Sequence, residues 1–459
     1  MPTANGTAHD VSVRRSLLIP PEHTSIVTDL YQLTMAAAYY ESGRTGLASF
    51  EMFVRRLPRD RGYLLLAGLE QALRYLETLS FDPEAIDYLR AHPTFAQVSD
   101  GFFEYLAEFR FTGSVDAIAE GSIVFANEPL LTVTAPLIEA QLIETYLLTT
   151  VNYQTLVATK AARVVSAASG RAVVDFGTRR AHGPQAGVLA ARAAYIGGCA
   201  GTSNVYAGHA LGVPIVGTMA HSFVMAYESQ DEAFEAYARA FPHHATVLVD
   251  TYETAEGVQA ATRMSTRPQA VRIDSGDLAQ GSRDTRAILD SAGLRDVRIV
   301  VSSDLNEYLV QDLVDEGAPI DGFGVGTELV TSRDDPALSG VYKLVEYAHG
   351  GRTVGVAKLS EDKATYPGVK QVFRAPDFGG DVIGAADEAL PGAPLLARVM
   401  EGGDVCSPLP TLEETRAHAA AEMMRLPQRY TALRRPDTYP VRYSDRLRKM
   451  GEDTRPRRV

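Results

Sequence analysis

From about residue 170 the chain alternates short β-branched apolar runs with longer segments whose apolar residues recur at helical spacing. The runs are RAVVDFG, VPIVGTM, ATVLVD, AVRIDSGD, VRIVVSSD and IDGFGVGT, and they lead into Gly, Asp, Ser or His. Between them lie QAGVLAARAAYIGG, SQDEAFEAYARAF, ETAEGVQAATRM, RDTRAILDSAG and NEYLVQDLVDEG. Near-continuous apolar strands need cover on both faces, and strand-helix alternation gives parallel pairing. Residues 150 to 345 therefore predict an α/β barrel or a doubly wound sheet, and the strand count favours the barrel. In both architectures function gathers beyond the carboxyl ends of the strands, where these polar residues fall. Ser229 and Glu232 have the spacing of a capping box, which places His221 in the loop between a strand and a helix.

The flanking regions follow other periods. Residues 24 to 135 predict a helix at DLYQLTMAAAYYESG, a strand at ASFEMFVRRLP, helices over 64–79 and 101–109, and short strands over 113–136. This is an α+β pattern, joined to the barrel by a long helical stretch over 137–169. After 350, VGVAKLSEDKATYPGVKQVFR predicts two strands around a turn and TLEETRAHAAAEMMRL a helix. The expected organisation is a flexible leader (1–23), an N-terminal α+β domain (24–136), a barrel (137–349), and a C-terminal segment (350–459) that packs on the N-terminal domain and ends in a basic, mobile tail.

Composition narrows the function classes. A net charge of −13 opposes nonspecific attraction to nucleic acid or an anionic membrane, so an anionic ligand must meet a local basic cluster such as Arg55-Arg56, Arg179-Arg180 or the surroundings of Arg272. Two isolated cysteines, Cys199 and Cys406, build neither a disulfide framework nor a zinc site, which points to a reducing cytoplasm. The short SLLIPP stretch is neither a signal peptide nor a membrane span.

No P-loop occurs, and GFGVGTE lacks the spacing of a dinucleotide fingerprint. DFGTRRAHGP sets Phe176, Arg179 and Arg180 just after a strand: guanidinium forks suit carboxylate or phosphate, and a phenyl ring can stack on a flat ligand. A structural ion pair beside a core phenylalanine is the plainer alternative. RIDSGDLAQGS places Arg272, Asp274 and Asp277 at another strand end, where carboxylates hold ribose hydroxyls or Mg2+, or simply cap the next helix. Asp304 in SSDLNE and Gly326-Thr327 in GVGTELVTS sit where backbone N–H groups can receive phosphate, or where an ordinary strand-helix loop turns. His221 is either a hydrogen-bonded structural group or a neutral imidazole nucleophile oriented by a second residue.

Taken together and in order, TDLYQLTMAAAYY, DFGTRRAHGP, GTSN, GTMAHSF, RIDSGDL, GFGVGTELVTS, VYKLVE and KLSEDKATYPG closely resemble the nicotinate phosphoribosyltransferase family from about residue 24 to about 430. The resemblance implies a type II phosphoribosyltransferase fold, an irregular, TIM-like α/β barrel packed on an α+β domain. It also implies a homodimer with shared active sites, and formation of nicotinate mononucleotide and pyrophosphate from nicotinate and phosphoribosyl pyrophosphate. ATP hydrolysis is coupled in that family, Mg2+ is the implied metal, and NAD salvage the implied context. Position by position, His221 matches the histidine phosphorylated by ATP. Phe176 and Tyr31 match an aromatic pair around the pyridine ring, Tyr31 coming from the partner subunit. Arg179 and Arg180 match groups facing the nicotinate carboxylate or the nucleotide phosphate. Arg272, Asp274 and Asp304 match ribose- and phosphate-side residues, with Asp274 or Asp304 the implied Mg2+ contact. Gly326 and Thr327 match the loop receiving the 5′-phosphate, and Lys358 matches a residue of the phosphate region.

In the related nicotinamide enzyme an aspartate stands at the place of Ser203, and a serine there avoids repelling a carboxylate. That disfavours a nicotinamide phosphoribosyltransferase. Quinolinate phosphoribosyltransferase shares the barrel but is shorter and uses no phosphorylated histidine. A noncatalytic pyridine-nucleotide sensor would show erosion of His221, Arg179 or Asp274, all of which are present. The family's cysteine-rich zinc cluster, found in some members, has no counterpart.

Overall fold

A computed structural model describes residues 19–349, 351–358, 365–406 and 408–454. Most of the expected leader, and the last five residues of the tail, lie outside the described residues. Of the leader, Pro21–Ile26 forms a 3-10 turn.

Six short strands form the parallel sheet. Its order is Gly201–Thr202, Ala172–Asp175, Gly322–Val325, Arg298–Val301, Ala270–Ile273 and Thr246–Leu248, and every neighbouring pair is parallel. This is the cyclic order of a barrel, with its side chains packed inward: Val271, Ile273, Ile299, Val301, Phe323 and Val325 are all buried. The barrel has a seam. VPIVGTM is expected as a strand, yet only Ile215 pairs, through an isolated bridge to Thr202, and the chain runs on irregularly to residue 220. Pro214 brings no N–H to the ladder; its carbonyl accepts from Thr202 N at 2.9 Å and Val216 N returns a bond to Thr202 O, after which the pairing stops.

The N-terminal domain is built on a seven-stranded antiparallel sheet. Its order is Arg352–Gly355, Gly340–His349, Leu47–Val54, Pro129–Pro136, Ser114–Ile118, Leu396–Glu401 and Asp404–Val405. Strands from three parts of the chain meet here, so the polypeptide has already left the barrel at Gly340, ahead of the expected limit at 349. A smaller sheet orders Ala393–Pro394, Lys370–Arg374, Asp381–Ala385 and Val441–Tyr443.

Several local expectations are corrected. The helix expected over 64–79 starts only at Leu69, because Gly68 adopts φ 100° and Leu64–Leu65 pairs with Ile123–Val124 as a strand. A further helix, Pro83–Ala91, is capped by Asp82, whose side chain accepts from Glu84 N. The stretch 137–169 divides at Ile143 into Leu137–Leu142 and the 24-residue helix Glu144–Ala167. Thr155 and Thr159 on this helix accept from Ala67 N and Leu65 N, welding it to the N-terminal domain. The tail expected to be mobile includes the helix Asp445–Thr454, held by the fully buried Leu447. Among the described residues no helix is long and apolar enough to cross a membrane.

The C-terminal segment is pinned by charge as well as by strands. Lys370 Nζ lies 2.8 Å from Glu51 Oε2, and Lys370 N donates to Glu51 Oε1 at 3.0 Å, both side chains being buried. Burial raises the Glu51 carboxyl above its ordinary range and the lysine partly offsets it. Replacing one partner strands the other charge in the interior. Lys370→Met is expected to destabilise by about 3–5 kcal/mol, and the double variant Lys370→Met/Glu51→Leu to recover much of that loss in urea denaturation.

Candidate active site

The carboxyl ends of the barrel strands surround a cavity of about 540 Å3. Each strand delivers its own group. Asp175 closes the Ala172–Asp175 strand and is fully buried; it accepts from Thr202 Oγ1 at 2.7 Å and from Gly177 N at 2.8 Å. Burial raises its carboxyl, and these hydrogen bonds oppose the shift. They also fix the turn that presents Phe176, whose N–H bonds Val325 O at 2.8 Å. The phenyl ring lies over Gly324, where a Cβ would stand 2.4 Å from it. Gly177 is equally constrained, since a Cβ there would meet Val330 Cγ1 at 2.1 Å.

The 3-10 turn Thr178–Arg180 follows and carries both arginines to the cavity. Both arginines are exposed, and Arg179 donates to Phe176 O at 3.3 Å. Ser203, held by its N–H to Asp175 O, lines the same wall.

His221 is the first residue of a short helix, His221–Met225, at the end of the seam. Its Nδ1 is 3.2 Å from Thr251 Oγ1 and its Nε2 is 3.7 Å from Asp274 Oδ2, with the side chain 39% exposed. The capping pattern that located it is partly altered: Ser229 Oγ accepts from Glu232 N as expected, but the glutamate reaches Glu228 N.

Arg272 ties the seam to the sheet. It donates to Thr218 Oγ1 at 2.5 Å and to Met219 O at 3.2 Å, and it stands 3.3 Å from Asp274 Oδ1. Its guanidinium carbon is 5.8 Å from the centre of the Phe176 ring. The Arg272 Nε is buried and has no partner among the described residues. Asp274 Oδ1 also accepts from Ser302 Oγ. Asp277 takes the plainer of its two readings, capping the next helix by accepting from Gln280 N. Asp304, Gly326 and Thr327 complete the rim from the last two strands. Before Asp304, Ser303 holds φ 133°, a conformation that favours glycine.

Ten of the twelve site residues that the resemblance implies thus line one cavity, and Tyr31 and Lys358 do not. Tyr31 is on the helix Leu30–Glu41 of the N-terminal domain and is 49% exposed. Lys358 is exposed on the same domain, close enough to Lys343 to affect its charge. Burial lowers the Lys343 ammonium pKa, Glu144 opposes that, and Arg55 and Lys358 push it further down. Tyr31 also feels Glu144, after burial the next cause of its raised pKa. The Arg55 Nε is buried without a partner among the described residues. In this second cluster Tyr31 and Lys358 are exposed and Arg55 and Lys343 half-buried.

Sequence reasoning missed Asp250 and Thr251. Asp250 Oδ2 accepts from Asp274 N and Ser275 Oγ, each at 2.7 Å, while its buried Oδ1 has no hydrogen-bond partner among the described residues. The strand run ATVLVD ends on this aspartate, which alone reads as an ordinary turn residue.

A Mg2+ ion fits this chemistry. Such an ion keeps several waters and takes one or two carboxylates together with substrate phosphates. Asp274 and Asp304 line the cavity and supply carboxylates without forming a closed protein cage, and Asp250 stands behind Asp274. Among the described residues the one group of three such side chains close enough together to hold an ion is His23, Asp82 and Glu84, on the N-terminal side of the chain.

Three family models match in succession: the nicotinate phosphoribosyltransferase N-terminal domain over residues 26–152, the quinolinate phosphoribosyl transferase C-terminal domain over 157–334, and the nicotinate phosphoribosyltransferase C-terminal domain over 390–451. The nicotinate phosphoribosyltransferase pncB2 of Mycobacterium tuberculosis is 48% identical over 436 residues, covering 92% of each chain. The Bacillus subtilis nicotinate phosphoribosyltransferase is 39% identical, covering 92% of this chain and 93% of its own. The crystal structure of human nicotinic acid phosphoribosyltransferase superposes with a TM-score of 0.82 at 32% identity, over 93% of this chain and 99% of that one. With its three domain matches in order and its strand ends converging on one anion-receptive cavity, this chain belongs to the nicotinate phosphoribosyltransferase family.

Proposed function

We propose that this chain forms nicotinate mononucleotide and pyrophosphate from nicotinate and phosphoribosyl pyrophosphate, with ATP hydrolysis coupled through a phosphorylated His221, in cytoplasmic NAD salvage. The observation that carries the coupling is the setting of His221: one ring nitrogen against Thr251, the other toward Asp274 and the cavity. With its proton on Nδ1, the imidazole presents the Nε2 lone pair as nucleophile. An N–P bond forms there as the bond from the γ-phosphorus to its bridging oxygen breaks, and ADP leaves with that electron pair. The phosphoryl group then adds about −1.5 to −2 charge beside Arg272 and Asp274, which alters the grip of this rim on the pyrophosphate.

In the transfer step the bond from the anomeric carbon to pyrophosphate breaks, positive charge develops on the sugar, and the pyridine nitrogen lone pair closes the new C–N bond. No general base is required, since that nitrogen carries no proton. Asp274 and Asp304 face the developing charge, and Phe176 provides a flat surface for the ring. Arg179 and Arg180 take the carboxylate or the nucleotide phosphate. Gly326 and Thr327 take the 5′-phosphate through backbone N–H groups. Asp274 or Asp304 would hold Mg2+, with Asp250 positioning Asp274 from behind, and the ion would supply charge neutralisation to the pyrophosphate.

The cluster of Tyr31, Arg55, Lys343 and Lys358 supports a homodimer in which each N-terminal domain completes the other subunit's cavity. Exposed Val205 and Tyr206 beside Ser203, and Ile215 on the seam, supply apolar contact area for it.

In product assays with nicotinate, wild-type protein is expected to be stimulated by ATP and His221→Ala to keep only the ATP-independent rate; equal stimulation of both rejects the phosphohistidine. Ser203→Asp is expected to raise the nicotinate KM about tenfold by charge repulsion, leaving the KM of the phosphoribosyl donor in place. Mixing Tyr31→Ala with His221→Ala subunits is expected to restore about a quarter of the wild-type sites, because half the dimers are hybrid and each hybrid has one intact site. Activity no greater than the sum of the two homodimers would reject shared sites.

A further inference from the structure

Behind the loops that carry Asp304 and Gly326-Thr327 lies an ionic cluster, buried at Lys160, Arg61, Arg163 and Glu307 and open to solvent at Asp334. Lys160, from the middle of the helix Glu144–Ala167, is completely buried. Its Nζ is 2.6 Å from Glu307 Oε2, 2.8 Å from Asp334 Oδ1 and 4.0 Å from Glu328 Oε2. Arg61, from the N-terminal domain, makes a two-pronged contact with Asp334 at 2.8 and 3.0 Å. Arg163 donates to Glu307 Oε1 at 3.0 Å and to Leu433 O, from the C-terminal segment, at 3.0 Å. Three cations therefore oppose three carboxylates. The Glu307 Oε2 has no hydrogen-bond partner among the described residues, so the ion pair with Lys160 is what compensates it.

The carboxylates are placed with respect to the cavity. Glu307 opens the helix Glu307–Asp315, three residues after Asp304, and Asn306 caps that helix. Glu328 directly follows Thr327, and Asp334 closes the same connection. One ammonium thus holds the backs of two loops whose fronts line the phosphate side. Burial by itself would raise the Glu307 and Asp334 carboxyls, yet both are lowered, Glu307 mainly by Lys160 and then Arg163, and Asp334 by Arg61 and then Lys160. Glu307 and Asp334 therefore keep their negative charge near neutral pH.

We infer that Lys160 is a positioning residue for transfer: it sets the spacing between the Asp304 loop and the Gly326-Thr327 loop, and through Arg61 it locks that spacing to the N-terminal domain. The inference rests on the function proposed above. An uncharged side chain of similar length leaves two carboxylates facing each other across the gap, and their repulsion spreads the loops. A displacement near 1 Å at such a site costs roughly 10²-fold in rate.

Steady-state kinetics of Lys160→Met, Lys160→Arg and Glu328→Gln test it. Lys160→Met is expected to raise the KM of the phosphoribosyl donor by about tenfold or more while the nicotinate KM stays within about twofold. Lys160→Arg, which keeps the charge, is expected to return the donor KM to within about threefold of wild type. If Lys160→Met does not fold, Glu328→Gln carries the test, with a donor KM raised about threefold at unchanged circular dichroism. The inference is overturned if folded Lys160→Met has a wild-type donor KM, if both KM values move together, or if folded Glu328→Gln is indistinguishable from wild type. A wild-type protein that transfers nothing to nicotinate would instead reject the proposed function. The positioning role is then read by calorimetric titration with inorganic pyrophosphate, where Lys160→Met must weaken binding about tenfold and equal affinities overturn it.

Discussion

The Arg272 guanidinium is the interaction on which the cavity depends. A parallel barrel brings strand ends together, but here the third strand in chain order is missing, and an irregular segment stands in its place. Irregular backbone carries polar groups that no ladder satisfies. Arg272 supplies the missing donors, bonding Thr218 and Met219 of the segment while it faces Asp274 and the Phe176 ring. The position of His221 at the end of the seam depends on that one side chain being charged, branched and planar, while Asp250 and Asp175 hold the aspartate and the aromatic that it faces.

A second constraint operates at the junction of the domains. The antiparallel sheet is assembled from strands far apart in sequence, and the long helix Glu144–Ala167 lies against both units. At several places where distant segments meet there is a buried, paired charge: Glu51 with Lys370, Glu307 with Lys160 and Arg61, Glu128 with Arg374. Apolar surface is tolerant of sliding, whereas a buried carboxylate is not, since any shift leaves it without its counter-charge. The register between the domains is set by these contacts, and the relative position of Tyr31, Arg55, Lys343 and Lys358 follows from it.

What the sequence disclosed depended on how local each determinant is. Runs such as AVRI and RIVV announce strands because two covered faces demand unbroken apolar residues, and the polar residue that ends each run had to lie at the barrel rim. Phe176, Arg272 and Asp274 were legible for that reason. The seam was not, because VPIVGTM has the composition of a strand and only the lost donor of Pro214 and the position of Thr202 decide otherwise. Asp250 resembled any residue that starts a turn; its role exists only once Asp274 N and Ser275 are folded against it. Lys160 and Arg163 sit in an Ala- and Val-rich helix where a charged residue reads as a solvent-facing position, although both are buried. Gly68 delays the start of a helical pattern through a positive φ that no periodicity reveals.

The seam also bears on motion. Strands such as Ala270–Ile273 and Arg298–Val301 are hydrogen-bonded on both sides and open only with much of the domain, while residues 216–220 are held by a few side-chain bonds and one bridge nearby. Amide protons along that stretch should therefore exchange with solvent well before those of the neighbouring ladder. His221, at the end of that stretch, thus stands on a part of the rim that opens more readily than the ladder beside it, so its surroundings can rearrange without unfolding the barrel.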